Sequence, residues 1–222
     1  MKLKSSIALA ALTVAGSAFA SSVTFTSALS VQDVDFDDAL SLQQFDPTLG
    51  TLLSVTLELA GTFDGRAGIE NTNSKKSLSA TLKLDGLLTL QRPDLTTLVS
   101  VSKNLITESV SLPKFDTTAD FSGTSGKSFD SGSVSASDTL NLGGADFALF
   151  TGKGSVTLPV FARALSVTTG TGNFVSGYST SGGVYAEVIY NYAPVPEPET
   201  YALMLAGLGA VGFVARRRKN IE

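Results

Sequence analysis

Residues 78–90 read LSATLKLDGLLTL, in which apolar and polar side chains mostly alternate. Successive side chains of a β-strand point to opposite faces of a sheet, so the row that contains Leu78, Leu84 and Leu90 is expected to face a core. The same row passes through Gly86, where a glycine inside a strand pattern predicts a bulge or a turn. The segment therefore predicts a half-buried strand.

The same pattern recurs on both sides of this segment. Further strands are predicted over 23–31, 53–59, 95–101, 105–112, 139–142, 155–167 and 184–192. Pro159 predicts an edge position or a bend in its strand. The Ser- and Gly-rich segments 115–137 and 168–183 are expected to be exposed loops or weakly ordered hairpins. With about eight to ten strands and no sustained helical repeat between 22 and 192, the fold class is all-β, an antiparallel β-sandwich or jelly-roll-like single domain over residues 21–193.

Composition excludes several kinds of chemistry. The chain has no histidine and no cysteine, so the imidazole base of Ser/His/Asp sites and thiolate metal ligands are absent, and no cofactor is expected. Without six basic and three acidic residues at the two ends, the 16 basic and 20 acidic residues fall to 10 and 17. A central region with a net charge of −7 argues against nucleic acid as a partner.

The N-terminus has the pattern of a secretory signal peptide over residues 1–20. Lys2 and Lys4 precede an apolar run that ends in a small-residue triplet with Ala18 and Ala20. Signal peptidase is expected to cleave after Ala20, which predicts export.

The C-terminal segment 194–222 combines a proline-rich stretch, an uncharged run and a basic cluster. A transmembrane helix is predicted over about 199–215, because this run lacks charge and precedes basic residues that act as a stop-transfer signal. These are Arg216, Arg217, Arg218 and Lys219. Positive charge at this end predicts that the folded domain faces away from the cytoplasm.

The sequence Pro196-Glu197-Pro198, the short Gly/Ala/Leu run and the basic cluster together resemble the PEP-CTERM sorting signal of Gram-negative bacteria. The resemblance implies that an exosortase-like membrane enzyme recognises Pro196, Glu197 and Pro198 and removes the tail. It also implies an inner-membrane form that faces the periplasm, followed by delivery to the cell surface or extracellular matrix.

The segments 45–52, 146–159 and 186–192 resemble those of the choice-of-anchor E domain, a bacterial surface domain with interchangeable anchors. The resemblance implies location and fold, and no defined activity.

The densest acidic cluster is found at residues 33–38. An EF-hand loop requires glycine at its sixth position and glutamate at its twelfth, where this sequence has Asp38 and Gln44. The cluster has two possible interpretations: a looser calcium site formed by Asp33, Asp35 and Asp37, or a solvated strand face.

These observations lead to three functional hypotheses. The first is a non-catalytic, exported surface or matrix protein associated with exopolysaccharide or biofilm. The alternatives are a carbohydrate-active hydrolase with paired carboxylates and a calcium-dependent adhesin. Tyr190 and Tyr192 lie in phase with Val188, which predicts core packing for them and not a sugar platform.

Overall fold

The computed structural model describes residues 20–195 and 198–219. Its strands are β1 Ser21–Asp33, β2 Phe36–Gln43, β3 Gly50–Asn71, β4 Leu78–Gln91, β5 Thr97–Leu112, β6 Gly126–Leu142, β7 Ser155–Thr171 and β8 Phe174–Pro194. Its helices are α1 Gly144–Phe150 and α2 Pro198–Lys219.

The strands form two four-stranded sheets. The first sheet has the order β1-β8-β3-β6 and the second has the order β2-β7-β4-β5, and all neighbouring strands are antiparallel. The pairs β1–β8, β2–β7, β3–β6 and β4–β5 are those of one long hairpin folded over on itself, which is the jelly-roll arrangement. The predicted all-β, jelly-roll-like sandwich is confirmed.

Two apolar clusters fill the space between the sheets. The main cluster includes Leu57, Leu158 and Tyr190, and the second includes Ile69 and Leu82. Strands β3, β4 and β5 each contribute buried side chains to both clusters, so the two clusters share these three strands. Tyr190 is fully buried and donates a hydrogen bond to the Gln43 carbonyl at 2.9 Å, which confirms the core role predicted for it. Burial also raises the pKa of its phenol.

Gly86 is neither a turn nor a break in β4. The ladder with β7 continues through Gly86, which pairs with Ala164, and the irregularity with β5 falls between Leu84 and Asp85. A Cβ atom at Gly86 would lie 2.9 Å from the Phe63 ring, so the glycine makes room for that ring in the core.

Several local predictions were wrong. Segment 115–137 contains most of β6, and segment 168–183 contains the end of β7 and the start of β8. The two strands predicted over 95–112 form the single strand β5, and the short helix α1 had no periodic signal. Strand β7 lies inside its sheet, but its ladder with β4 ends at Val160. Pro159 therefore has only β2 beside it, as at an edge.

The predicted transmembrane helix over 199–215 is not supported. No helix among the described residues is long and apolar enough to cross a membrane. The uncharged run 200–215 is shorter than the roughly 20 apolar residues that span a bilayer, and it contains three glycines.

Candidate functional site

The antiparallel strand order gives the sandwich two distinct ends. At the tail end, Gly50 pairs with Pro194 and the Val195 N–H donates to the Leu49 carbonyl at 3.2 Å. The connections β3–β4, β5–β6 and β7–β8 lie at the opposite end, which we call the loop end, whereas the β1–β2 turn lies part-way along the sandwich, because Asp33 pairs with Ser181 of β8. The start of the sorting segment and the longest described loop, residues 113–125, are therefore separated by the length of the sandwich.

The outward side of the first sheet, here called the polar face, has mainly small polar side chains, with a few apolar ones such as Ile189 and Ala60. Alternate residues of its four strands are exposed or half-buried, whereas their neighbours face the core. Representative members are Thr24, Thr26, Thr56, Thr62, Ser135, Ser137, Thr139 and Asn191. Such a surface offers hydroxyl and amide groups that both donate and accept hydrogen bonds.

An open groove of about 510 Å³ crosses the middle of the polar face. Small residues, including Ala60 and Gly183, line it, and Glu58 and Tyr185 add larger side chains. Because these side chains are small, they leave a shallow depression in which an extended ligand chain could lie across several strands.

One carboxylate, that of Glu58, lines this groove, and a second, that of Glu187, lies next to it. Glu58 on β3 lies directly opposite Glu187 on β8, a pairing of like charges that destabilises a sheet. The Tyr185 hydroxyl donates to Glu187 Oε2 at 2.5 Å. This hydrogen bond, with burial and the charges of both glutamates, raises the pKa of Tyr185 to about 12, so the phenol stays protonated at neutral pH.

The Glu58 carboxylate makes no hydrogen bond or ion pair with any other described residue. A free carboxylate on a face of hydroxyl and amide groups accepts hydrogen bonds well, which suits a ligand rich in hydroxyl groups.

The loop end has a buried polar network. Glu70 on β3 is fully buried and accepts hydrogen bonds from Ser125 Oγ at 2.5 Å and from the Phe121 N–H at 2.9 Å. The Phe121 ring packs over Gly68, where a Cβ atom would lie 2.9 Å from it. Loop 113–125 thus folds over the outward side of the first sheet, and these polar groups hold it in place.

The acidic cluster at the β1–β2 turn is not arranged as a metal site. Asp37 forms an ion pair with Arg163 on β7, and Asp35 Oδ1 accepts the Ala164 N–H at 3.0 Å. Asp33 ends β1 and pairs with Ser181. Within the described part of the chain, no group of three or more acidic side chains could hold a metal ion. The calcium hypothesis stays a prediction without support from this geometry.

The structure covers the predicted processing residues only in part. Ala20 is exposed just before β1, whereas Ala18 lies outside the described residues, as do Pro196 and Glu197. Pro198 begins α2, and the basic cluster ends it: Arg216 is exposed, and Arg217, Arg218 and Lys219 form its last turn. The side chains of these last three lie outside the described part.

Fold and tail together define a jelly-roll sandwich joined to a C-terminal sorting segment. Residues 194–219 match the family model of the PEP-CTERM protein-sorting motif. The matched segment begins at the last residue of β8 and ends at the last residue of α2. The motif implies an exported protein that is anchored in the membrane and then processed by an exosortase.

Other comparisons add little. No curated protein matches the chain. A structure of the Gx strain of infectious bursal disease virus is 10% identical with a TM-score of 0.18, covering 82% of this chain and 44% of that one. A structure of the T13 particle of the same virus is 11% identical with a TM-score of 0.16, covering 81% of this chain and 41% of that one. The chain thus spans less than half the length of these proteins, and TM-scores this low carry no conclusion about it.

Sequence reasoning missed the groove and the Glu70 network. Glu58 and Glu187 each occupy a polar position of a predicted strand, but their opposition depends on the register between β3 and β8. No local pattern encodes the register between strands that are far apart in sequence.

Proposed function

We propose that this protein is a non-catalytic surface or matrix protein whose polar face binds exopolysaccharide after an exosortase has processed its tail. The observation that carries the proposal is the sorting motif joined directly to a sandwich with a polar face. By its resemblance to the choice-of-anchor E family, the domain belongs at the cell surface. Signal peptidase and the exosortase are its processing partners, and the inner membrane holds it, facing the periplasm, before processing.

The geometry of the groove favours binding of a neutral glycan. The groove is open and has few aromatic side chains, so hydrogen bonds to Glu58, Glu187 and neighbouring hydroxyl groups supply most of the affinity. An acidic polysaccharide is a poorer ligand, because both carboxylates would repel it.

Affinity electrophoresis in gels containing neutral exopolysaccharide tests this proposal. Retardation of the processed protein is expected, and Glu58→Gln should weaken binding about tenfold, since a hydrogen bond to a charged group contributes roughly 1.5–3 kcal/mol. Glu108→Gln is the matched control, because Glu108 is an exposed glutamate on β5 of the other sheet. Equal retardation of both variants, or no retardation of the unmodified protein, would contradict the proposal.

If the protein is instead a hydrolase, the opposed Glu58 and Glu187 are its candidate catalytic carboxylates. Directly opposite residues of antiparallel strands have Cβ atoms about 4.5–5.5 Å apart, and the two carboxyl groups of a retaining glycosidase are about 5–5.5 Å apart. A reducing-sugar assay on the same polysaccharide distinguishes the two functions. Release of sugar that is lost in both Glu58→Gln and Glu187→Gln would establish the hydrolase and overturn the non-catalytic proposal.

A further inference from the structure

The outer edge of β1 is an unprotected strand edge. Strand β1 pairs with β8 on one side only, and no strand among the described residues pairs with its other side. From β2, the Ser41 N–H donates to Ser27 Oγ at 3.2 Å, a contact with a side chain and not with the β1 backbone. Unpaired backbone N–H and C=O groups along such an edge can pair with another chain.

The three other sheet edges are protected by charged side chains, which β1 lacks over residues 21–32. Strand β2 is short and has two adjacent aspartates, β5 has Lys103 and Glu108 with two register irregularities, and β6 has three charged residues and an irregularity opposite β3. Charged side chains, bulges and short length prevent strand pairing at edges. Strand β1 has one irregularity, between Leu29 and Gln32, but its ladder with β8 is continuous over Ser21–Leu29. Its residues 21–32 contain no charge, no proline and no glycine.

The inner row of β1 is only partly covered. Val23, Phe25 and Leu29 pack against the main cluster but remain half-buried at the margin of the sandwich. A strand added beside β1 would shield this apolar surface further and contribute favourably to association.

We propose that β1 pairs antiparallel with β1 of a second copy of this chain, which joins two first sheets into one eight-stranded sheet. The second copy is favoured over an unrelated strand because a two-fold contact needs only one surface that is complementary to itself. Each copy carries a central net charge of −7, and residues 21–32 form the edge on which two copies can pair without placing acid opposite acid. The proposal goes beyond glycan binding and does not depend on it.

The pairing also extends the polar face. The outward row of β1, with Thr24, Thr26 and Ser30, would lie beside the same row of the second copy and form cross-strand hydroxyl pairs. Two grooves would then share one continuous surface.

Disulfide trapping tests the contact, because the chain has no cysteine. Thr24→Cys, Thr26→Cys and Ala28→Cys would be introduced singly into the exported, processed protein and oxidised, alone and in pairwise mixtures. A covalent dimer is expected in the combination that matches the antiparallel register. Thr139→Cys, an exposed position on β6 at the other edge of the same sheet, is the control.

Two results of the trapping experiment would overturn the proposal. One is cross-linking of all β1 variants no greater than that of Thr139→Cys. The other is cross-linking only when a β1 variant is mixed with Thr139→Cys, which would indicate a head-to-tail β1–β6 contact.

Light scattering after gel filtration gives an independent measurement. The processed protein is expected to be a dimer, and the double variant Thr24→Lys/Thr26→Lys a monomer, since lysines would face lysines across the two-fold axis. Thr139→Lys should remain a dimer, and circular dichroism would show that both variants fold. A monomeric unmodified protein, or a double variant that is folded and still dimeric, would refute the contact.

Discussion

Asp116 in loop 113–125 accepts hydrogen bonds from the backbone N–H groups of Thr118, Thr124 and Ser125. These bonds, that of Thr118 first, lower the pKa of its carboxyl to about 2 from an ordinary value of 3.8. Because the folded pKa is the lower one, Asp116 stabilises the fold fully above pH 3.8, and this contribution disappears as the pH falls toward 2.

The variant Asp116→Asn should therefore lose stability at pH 7 and show a smaller further loss between pH 4 and pH 2.5 than the unmodified protein. Urea unfolding midpoints at the three pH values measure this difference. Asp64→Asn is the control, because Asp64 makes no hydrogen bond or ion pair within the described residues. An unchanged acid dependence in Asp116→Asn would show that the loop network does not hold this carboxylate in solution.

Single residues were predictable where their role is set by the alternation of their own strand. Tyr190 was placed in the core from its phase with Val188, and it is fully buried there. Asp37 was a candidate metal ligand because its neighbours in sequence are acidic, yet its partner is Arg163, which is 126 residues away. A pattern within one segment contains no information about such a partner.

At the scale of a single element, the end of β8 leads directly into the sorting motif. Its last residues, Ala193 and Pro194, pair with Thr51 and Gly50 at the start of β3, and Pro194 is the first residue of the matched motif. A Cβ atom at Gly50 would lie 2.0 Å from the Ala193 carbonyl oxygen, so only glycine allows this close approach. The pairing therefore holds the start of the motif against the sandwich.

Substituting Gly50→Ala should detach the end of β8 while leaving the rest of the sandwich folded. Amide hydrogen exchange, read by mass spectrometry, is expected to accelerate in the peptide that contains Ala193 and Val195. Gly144→Ala serves as the control, because a Cβ atom at Gly144 meets no atom within 4 Å. Equal protection of that peptide in Gly50→Ala and in the unmodified protein would show that this pairing does not hold the start of the motif against the sandwich.

At the same scale, sequence patterns found most strands that bury a long row of large apolar side chains, and missed β2, whose buried row is short, and most of β6. Strand β4 was predicted from its leucines, whereas most of β6 was predicted to be an exposed loop or a weakly ordered hairpin because its residues are mainly Ser, Gly and Asp. Strand β6 is an edge strand whose backbone pairs with β3, and many of its side chains are exposed. Backbone pairing with a distant strand leaves little trace in composition.

For the molecule as a whole, the two core clusters should unfold as one unit. Strands β3, β4 and β5 each place buried residues in both clusters, so neither can lose its packing while the other keeps its sheets. The chain has no tryptophan, which allows one to be placed as a probe in each cluster, by Phe147→Trp in the main cluster or Phe129→Trp in the second. Both positions are half-buried, so they tolerate the larger ring better than a fully buried site.

Because the two clusters share three strands, a substitution that destabilises one cluster should destabilise the other equally. Ile69→Ala empties a fully buried position of the second cluster and should lower the free energy of unfolding by about 2–5 kcal/mol. In urea, the fluorescence midpoints of the Phe147→Trp and Phe129→Trp proteins should both fall by the concentration that corresponds to this loss divided by the m-value, and should coincide with the midpoint from circular dichroism. Thr139→Ala, at an exposed position on β6, should leave both midpoints nearly unchanged. A shift confined to the Phe129→Trp probe would mean that the second cluster unfolds alone, and that the long strands do not transmit its loss to the main core.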